Sequence, residues 1–299
     1  MPEVIKIKCL FWNINRKNLV LELLTAVLEN DIDIVVTAEA EELDVSYFLS
    51  QLKKDGKRFE VKQILPRQEE GRILLLANVN TEISVYKEEK YFTAYKLKGK
   101  RKNILLIALH LTSALHCSES ARSYMAGDTA RTIEKLEESC NMEAEKEGER
   151  GYGAVVVGDF NLHPFSAGVI GAHGFHAILD ADKALKESRI INGNRYKFYY
   201  NPMWNLMGKR GNALGTFYYA SDQDNLSFYW YTFDQVLLRP ELIESFLWEE
   251  FQIIDCIEGD SLIRNQKFTA NDIPIICLLS LGLFKTLRRR RNEIRFMAI

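Results

Sequence analysis

The residues best suited to chemistry sit where apolar runs stop. Asp159 and Asn161 follow the run 154–157 in Gly158-Asp159-Phe160-Asn161, just ahead of Leu162-His163-Pro164. Small and β-branched residues ending in Gly-Asp-x-Asn predict a buried strand that stops at a site. Two apart on an extended backbone, Asp159 and Asn161 project from one face. Side by side, a carboxylate and a carboxamide suit a hard cation and a phosphate oxygen. The same four residues also suit an Asx turn at a strand end.

Other polar residues end or interrupt apolar runs in the same way: Asn13, Glu39, His110, Asp234 and Asp272. Glu39, after Ile34-Val35-Val36, is the kind of carboxylate that holds Mg²⁺, which takes one or two carboxylates plus waters. His110 in Leu109-His110-Leu111 suits either a site or a satisfied core histidine. Asp234 in Phe233-Asp234-Gln235-Val236 is a charge inside an apolar strand, which needs a partner. Strand ends from two sheets can converge on one edge and form a site.

The elements that must position these residues are legible as periodicities. Ile5, Ile7, Cys9 and Phe11 alternate with Lys6, Lys8 and Leu10, the period of a half-buried strand. Asn18 can cap a helix carrying Leu19, Leu23, Leu24, Val27 and Leu28. A second strand spans 34–36, and residues 41–54 have the pattern of an amphipathic helix. Short period-two runs at 61–64, 73–79, 83–86, 92–97 and 104–111 predict meandering antiparallel sheet. Ser118 is a good N-cap for a helix running to the charged stretch 143–150, ahead of the strand at 154–159. Residues 196–233 read as loop-rich and unusually aromatic, 232–238 as a strand, and 273–279 as the last core strand. There is no fixed-period repeat.

At 299 residues, with 47% hydrophobic and 27% charged residues, the composition is that of a soluble globule with a sizeable core. A net charge of −2 and pI near 6.3 give no global pull towards polyanions, so any such contact is local. Five scattered cysteines without CxxC spacing fit free thiols in a reducing cytosol rather than a disulfide framework or a zinc site. Met1-Pro2-Glu3 lacks the features of a signal peptide, and the apolar stretch 273–284 holds Pro274 and is too short to span a bilayer. These features predict a cytoplasmic protein.

The pieces Phe11-Trp12-Asn13-Ile14-Asn15, Asp33-Ile34-Val35-Val36-Thr37-Ala38-Glu39, Leu109-His110-Leu111, Gly158-Asp159-Phe160-Asn161 and Phe233-Asp234-Gln235-Val236 resemble, in order, the motifs of the endonuclease/exonuclease/phosphatase superfamily. Asn271-Asp272-Ile273-Pro274-Ile275 is a weaker sixth piece, and the resemblance spans about residues 4–280. It implies an α/β fold, a four-layer α/β/β/α sandwich of two packed mixed, mainly antiparallel sheets, over residues 1–282, with 283–299 as a basic tail. It further implies that Asn13, Glu39 and Asp272 bind Mg²⁺ or Mn²⁺. Asp159 and Asn161 would orient the attacking water and the scissile phosphate, and His110 would stabilise charge in the transition state. Asp234 would belong to the same catalytic set. The implied activity is a metal-dependent phosphodiesterase, a nuclease acting on nucleic acid.

One departure stands out. The superfamily ends on Ser-Asp-His-x-Pro, whereas here Asn271 stands for the serine and Ile273 for the histidine, which the superfamily often pairs with an aspartate at the position of Asp234. Isoleucine neither accepts a proton nor donates to phosphate. A second reading is therefore a catalytically weakened member that binds a phosphate-bearing ligand or a partner. A third keeps turnover but on a phosphoinositide, sphingolipid or small phosphomonoester. His163 is a histidine that could enter the gap. The aromatic stretch 196–233, with Lys197, Lys209 and Arg210, suits base stacking or simple packing, and Arg288–Arg291 suits phosphate contact or a solvated tail.

Overall fold

Alternation at the start of the chain supplies two apolar faces rather than one. In β1 (Lys6–Asn13), Cys9 and Phe11 join a core cluster with Val36, Leu106, Val157 and Val236. Leu10 and Trp12, on the opposite face, pack with Leu23, Val27, Phe48 and Leu52 of two helices. The expected half-buried strand is thus buried on both sides, because helices cover its outer face. The computed structural model describes residues 6–63, 73–99, 102–113, 117–207, 213–219, 228–257, 259–264, 267–268 and 275–280. Asp272 and Ile273, Lys209 and Arg210, and the tail 283–299 lie outside the described residues.

Among the described residues the strands form two large mixed sheets. The first runs Gln252–Ile253, Ile275–Ser280, β1, β2 (Ile34–Ala38), β4 (Ile73–Asn78), β3 (Phe59–Val61). Only β1 and β2 pair in parallel there; the other pairs are antiparallel. The second runs β5 (Ile83–Glu89), β6 (Phe92–Leu97), β7 (Asn103–His110), β8 (Tyr152–Asp159), Asp234–Leu238, Tyr199–Tyr200, Ala177–Ile178. Here β7 and β8 pair in parallel, as do the two short strands at the far edge.

The parallel pairs need crossovers, and helices supply them. α1 (Val20–Glu29) links β1 to β2, and α3 (Glu119–Lys146) links β7 to β8. With α2 (Val45–Lys54), α1 covers the outside of the first sheet; α3 sets Ile133 and Cys140 against Ile107 and Val156 outside the second. The inner faces of the two sheets share one cluster, so the order of layers is α/β/β/α, as the resemblance implies.

Local chemistry explains the shifted helix starts. Asn18 does not cap α1; its Oδ1 accepts from the Asp44 amide at 3.3 Å instead. Asp44 in turn caps α2 through a 2.9 Å bond from the Tyr47 amide, so α2 starts at Val45 rather than at 41. Ser118 caps α3 as expected, accepting from Ala121. Part of the stretch 196–233 read as loop is sheet: Tyr199–Tyr200 joins the second sheet and Phe217–Tyr218 pairs with Trp230–Tyr231, while a hairpin of Ser188–Ile191 and Asn194–Lys197 leads into it. A buried Arg239 fixes that region to α3, bonding Glu137 at 2.9 Å while its guanidinium lies 3.7 Å from the centroid of the Tyr199 ring. No helix among the described residues is long and apolar enough to cross a membrane.

Candidate active site

Sheet register brings the chemistry-bearing strand ends together. In the parallel pair β1/β2, Asn13 lies beside Ala38, and Glu39 follows; in β7/β8, His110 lies beside Asp159. Asp159 also lies opposite Asp234, the first residue of an antiparallel neighbour. One end of the sandwich therefore collects residues from both sheets.

Gly158 belongs to this arrangement for steric reasons, since a Cβ there would clash with the carbonyl oxygen of Leu109 on β7. β8 stops at Asp159, and Asn161 takes φ 49°, so the two side chains do not share an extended face as the spacing predicts. Instead the carboxamide folds back onto the carboxylate. Glu39 also has a left-handed backbone, φ 50°. Such conformations cost on the order of 1–3 kcal/mol each in a non-glycine residue and gather at functional sites.

Asp159 is the hub. Its Oδ1 accepts from the Asn161 amide at 2.7 Å; its Oδ2 accepts from Asn13 Nδ2 at 3.0 Å and from Asn161 Nδ2 at 3.1 Å. Burial pushes its carboxyl above the usual range, against the pull of His110 and these donors. His110 Nε2 lies 3.5 Å from Glu39 Oε1 and 3.8 Å from Asp159 Oδ2, and its buried Nδ1 meets no hydrogen-bond partner among the described residues. Asn13 Nδ2 also reaches Glu39 Oε1 at 3.5 Å, while its Oδ1 accepts from the Asn15 amide at 3.0 Å. Asn161 donates its second Nδ2 hydrogen to the Leu111 carbonyl at 3.0 Å, so both carboxamide hydrogens are committed.

Five of the expected site residues, Asn13, Glu39, His110, Asp159 and Asn161, thus form one hydrogen-bonded or ion-paired cluster. Asp234 adjoins it on the inner face, fully buried, its amide donating to Thr216 Oγ1 at 3.1 Å. Asp272 falls outside the described residues. His163 does not enter the cluster; its ring stacks on Phe165 and Phe228 at 5.4 and 6.1 Å, and burial lowers its pKa.

Further residues support the cluster and were not apparent from spacing. Arg122, in the first turns of α3, donates to the Asn161 carbonyl and holds the left-handed turn. Gln235 Nε2 donates to the Leu162 carbonyl at 2.6 Å, and Gln235 Oε1 accepts from Asn201 at 2.9 Å. The one sequence signal for Gln235 is a polar residue inside a strand pattern.

The donor chemistry suits a hard divalent cation at Glu39. Its carboxylate is partly exposed at the rim, with Arg16 Nε 3.6 Å from Oε2. The described residues contain no ready group of three acidic, histidine or cysteine ligands. A site of one or two carboxylates completed by waters is ordinary for Mg²⁺. Asn13 turns its NH₂ inwards, so Glu39 is the oxygen ligand the described part of the site offers most openly.

No protein-family model and no curated protein sequence matches the chain. Solved structures do. A truncated TDP2 from Caenorhabditis elegans superposes at TM-score 0.52 with 14% identity, covering 92% of this chain and 97% of that one. The catalytic domain of human Nocturnin with bound sulfate gives 0.50 at 14% identity, covering 92% and 94%. TDP2 from D. rerio complexed with single strand DNA product also gives 0.50 at 14% identity, covering 91% and 98%.

Proposed function

We propose that this chain, which has the fold of the endonuclease/exonuclease/phosphatase superfamily, hydrolyses phosphate diesters with the help of a divalent metal, with nucleic acid as its substrate. The observation that carries the reading is the convergence on Asp159: Asn13 and Asn161 donate to its carboxylate, and His110 and Glu39 adjoin it, from strands of both sheets.

The bonds of each residue support a task for it. Asp159, with its carboxyl raised by burial, is the group to accept a proton from the attacking water. Asn161 has both Nδ2 hydrogens committed, so its oxygen orients that water rather than a phosphate oxygen. His110, its Nε2 between Glu39 and Asp159, links the two carboxylates, and would stabilise negative charge on the phosphoryl oxygens by turning that nitrogen to a bound substrate. Asp234 lies opposite Asp159 across the strand pair and would belong to the same catalytic set. Glu39, with Asp272 from the last motif, would hold Mg²⁺ or Mn²⁺, and Asn13 would orient the Glu39 carboxylate through its Nδ2. Bound there, the metal supplies Lewis-acid polarisation of the phosphoryl oxygen. The sulfate on Nocturnin and the DNA product on D. rerio TDP2 support a phosphate-bearing substrate on this fold.

A second reading, a weakened enzyme that holds a phosphate-bearing ligand or partner, is favoured by one observation. The five histidines are His110, His116, His163, His173 and His176, and none follows residue 176 where the superfamily places its last catalytic histidine. The two readings part on one assay. Mg²⁺-dependent release of nitrophenol from bis-(p-nitrophenyl) phosphate, abolished by chelator, supports the phosphodiesterase. Metal-dependent binding of an oligonucleotide without turnover supports the weakened form.

A further inference from the structure

An aromatic ladder runs from one site residue to another. His163 stands two residues after Asn161, and its ring lies near-parallel to those of Phe165 and Phe228, at 27° to each. Phe228 meets Tyr231 edge-on at 5.9 Å, Tyr231 meets Phe233 at 5.1 Å, and Phe233 stacks on Phe217 at 5.3 Å. Phe233 immediately precedes Asp234, and its carbonyl accepts from the Phe160 amide at 2.8 Å. The ladder is therefore tied through Phe233 to the strands that carry Asp159 and Asp234.

Its outer rungs are open to solvent. Phe228 is 69% exposed and Phe165 51% exposed, and Tyr229 beside them has a left-handed backbone at φ 58°. Large exposed rings grouped next to a polar site are unusual on a protein surface and mark contact with a partner. The rim also carries cations. Arg16 is largely exposed beside Glu39, and Arg122, whose buried Nε meets no partner among the described residues, bonds the carbonyl of Asn161. Flat rings with open faces next to cations and a phosphate-ester site complement one chemistry: a base on a phosphodiester backbone. A duplex hides its base faces by stacking, so only an unpaired base can lie on them.

We propose that Phe165, His163 and Phe228 form a stacking platform for an unpaired nucleobase next to the scissile phosphate, which makes single-stranded nucleic acid the preferred substrate. The proposal rests on the phosphodiesterase reading of the neighbouring site, but it is read out by binding rather than turnover. Burial lowers the pKa of His163, which favours the uncharged ring in the middle rung.

The test compares the affinity of a fluorescent oligothymidylate with that of an abasic strand of equal length and backbone charge. It uses the full chain with Ca²⁺ in place of Mg²⁺ to suppress turnover. The expected result is at least about tenfold tighter binding of the strand with bases, a preference lost in Phe228→Ala and reduced in Phe165→Ala. Both rings are exposed, so both variants should fold, and circular dichroism checks this. Equal affinity for the two strands, no binding of either, or an unchanged preference in Phe228→Ala overturns the proposal. So does base-independent binding of phosphatidylserine vesicles that Phe228→Ala abolishes, which would assign the rings to a membrane surface. Base-dependent binding without any Mg²⁺-dependent cleavage would sink the catalytic reading and leave the platform standing.

Discussion

Asn13 and Asp159 lie 146 positions apart in the chain and are joined by a 3.0 Å hydrogen bond across the two sheets. Few bonds could link these sheets at their common end, because the rest of the interface is apolar. A carboxylate buried to this degree is costly unless its oxygens are bonded, and Asn13 supplies one of the three donors that meet it. The bond therefore satisfies a buried charge and fixes the spacing of the two strand ends that carry the site.

Glu39→Gln keeps the shape of the rim and removes its charge. Mn²⁺ affinity, followed by calorimetry, should fall by more than the roughly 10–100-fold typical for loss of an outer-shell partner. Unchanged affinity would move the metal away from Glu39.

Gly158→Ala forces a methyl group into the Leu109 carbonyl on β7. Urea denaturation should register a loss of about 1–3 kcal/mol, the range for overpacking in a tight core. Activity should fall further than stability, because Asp159 is the next residue and moves with the strand.

Arg239→Met leaves Glu137 buried beneath the second sheet without its cation. Removing one partner of a buried pair costs about 3–5 kcal/mol. Arg239→Met combined with Glu137→Gln should recover part of that loss, and non-additivity in the cycle checks the coupling. This prediction concerns the scaffold alone, and any turnover should follow the folded fraction.

Ile273→His restores the histidine of the last superfamily motif. If the weakened reading holds, turnover should rise by roughly 10²–10⁴-fold, the usual worth of general acid–base help. A parent enzyme already fast, with no gain on substitution, favours a base drawn from Asp159 alone.

The site was legible to the extent that strands end in polar residues. Asn13, Glu39, His110 and Asp159 each close an apolar run, and parallel pairing of β1 with β2 and β7 with β8 brings those ends to one side. The orientation of each group was not legible. Asn161 turns back on Asp159 through a left-handed backbone, and Asn13 points its NH₂ inwards, because hydrogen bonds across the fold decide both. Arg122 gave no signal, as an arginine early in an exposed helix looks like any solvated charge. The hairpin Ser188–Ile191 with Asn194–Lys197 was hidden by its polar, half-exposed strands, which lack a buried face to set a period. Asn18 as a cap was a local inference overruled by a tertiary bond to Asp44.

The central claim is that Asp159 organises metal-dependent hydrolysis of a phosphodiester. Its most direct test is Asp159→Asn, which keeps the size of the side chain but replaces one acceptor oxygen with an NH₂ among three donors and removes the proton acceptor. In Mg²⁺-dependent cleavage of single-stranded DNA, the parent should turn over. Asp159→Asn should be at least roughly 10²-fold slower, measured at a temperature where circular dichroism shows the variant folded. Cleavage at the parent's rate by Asp159→Asn would contradict the account.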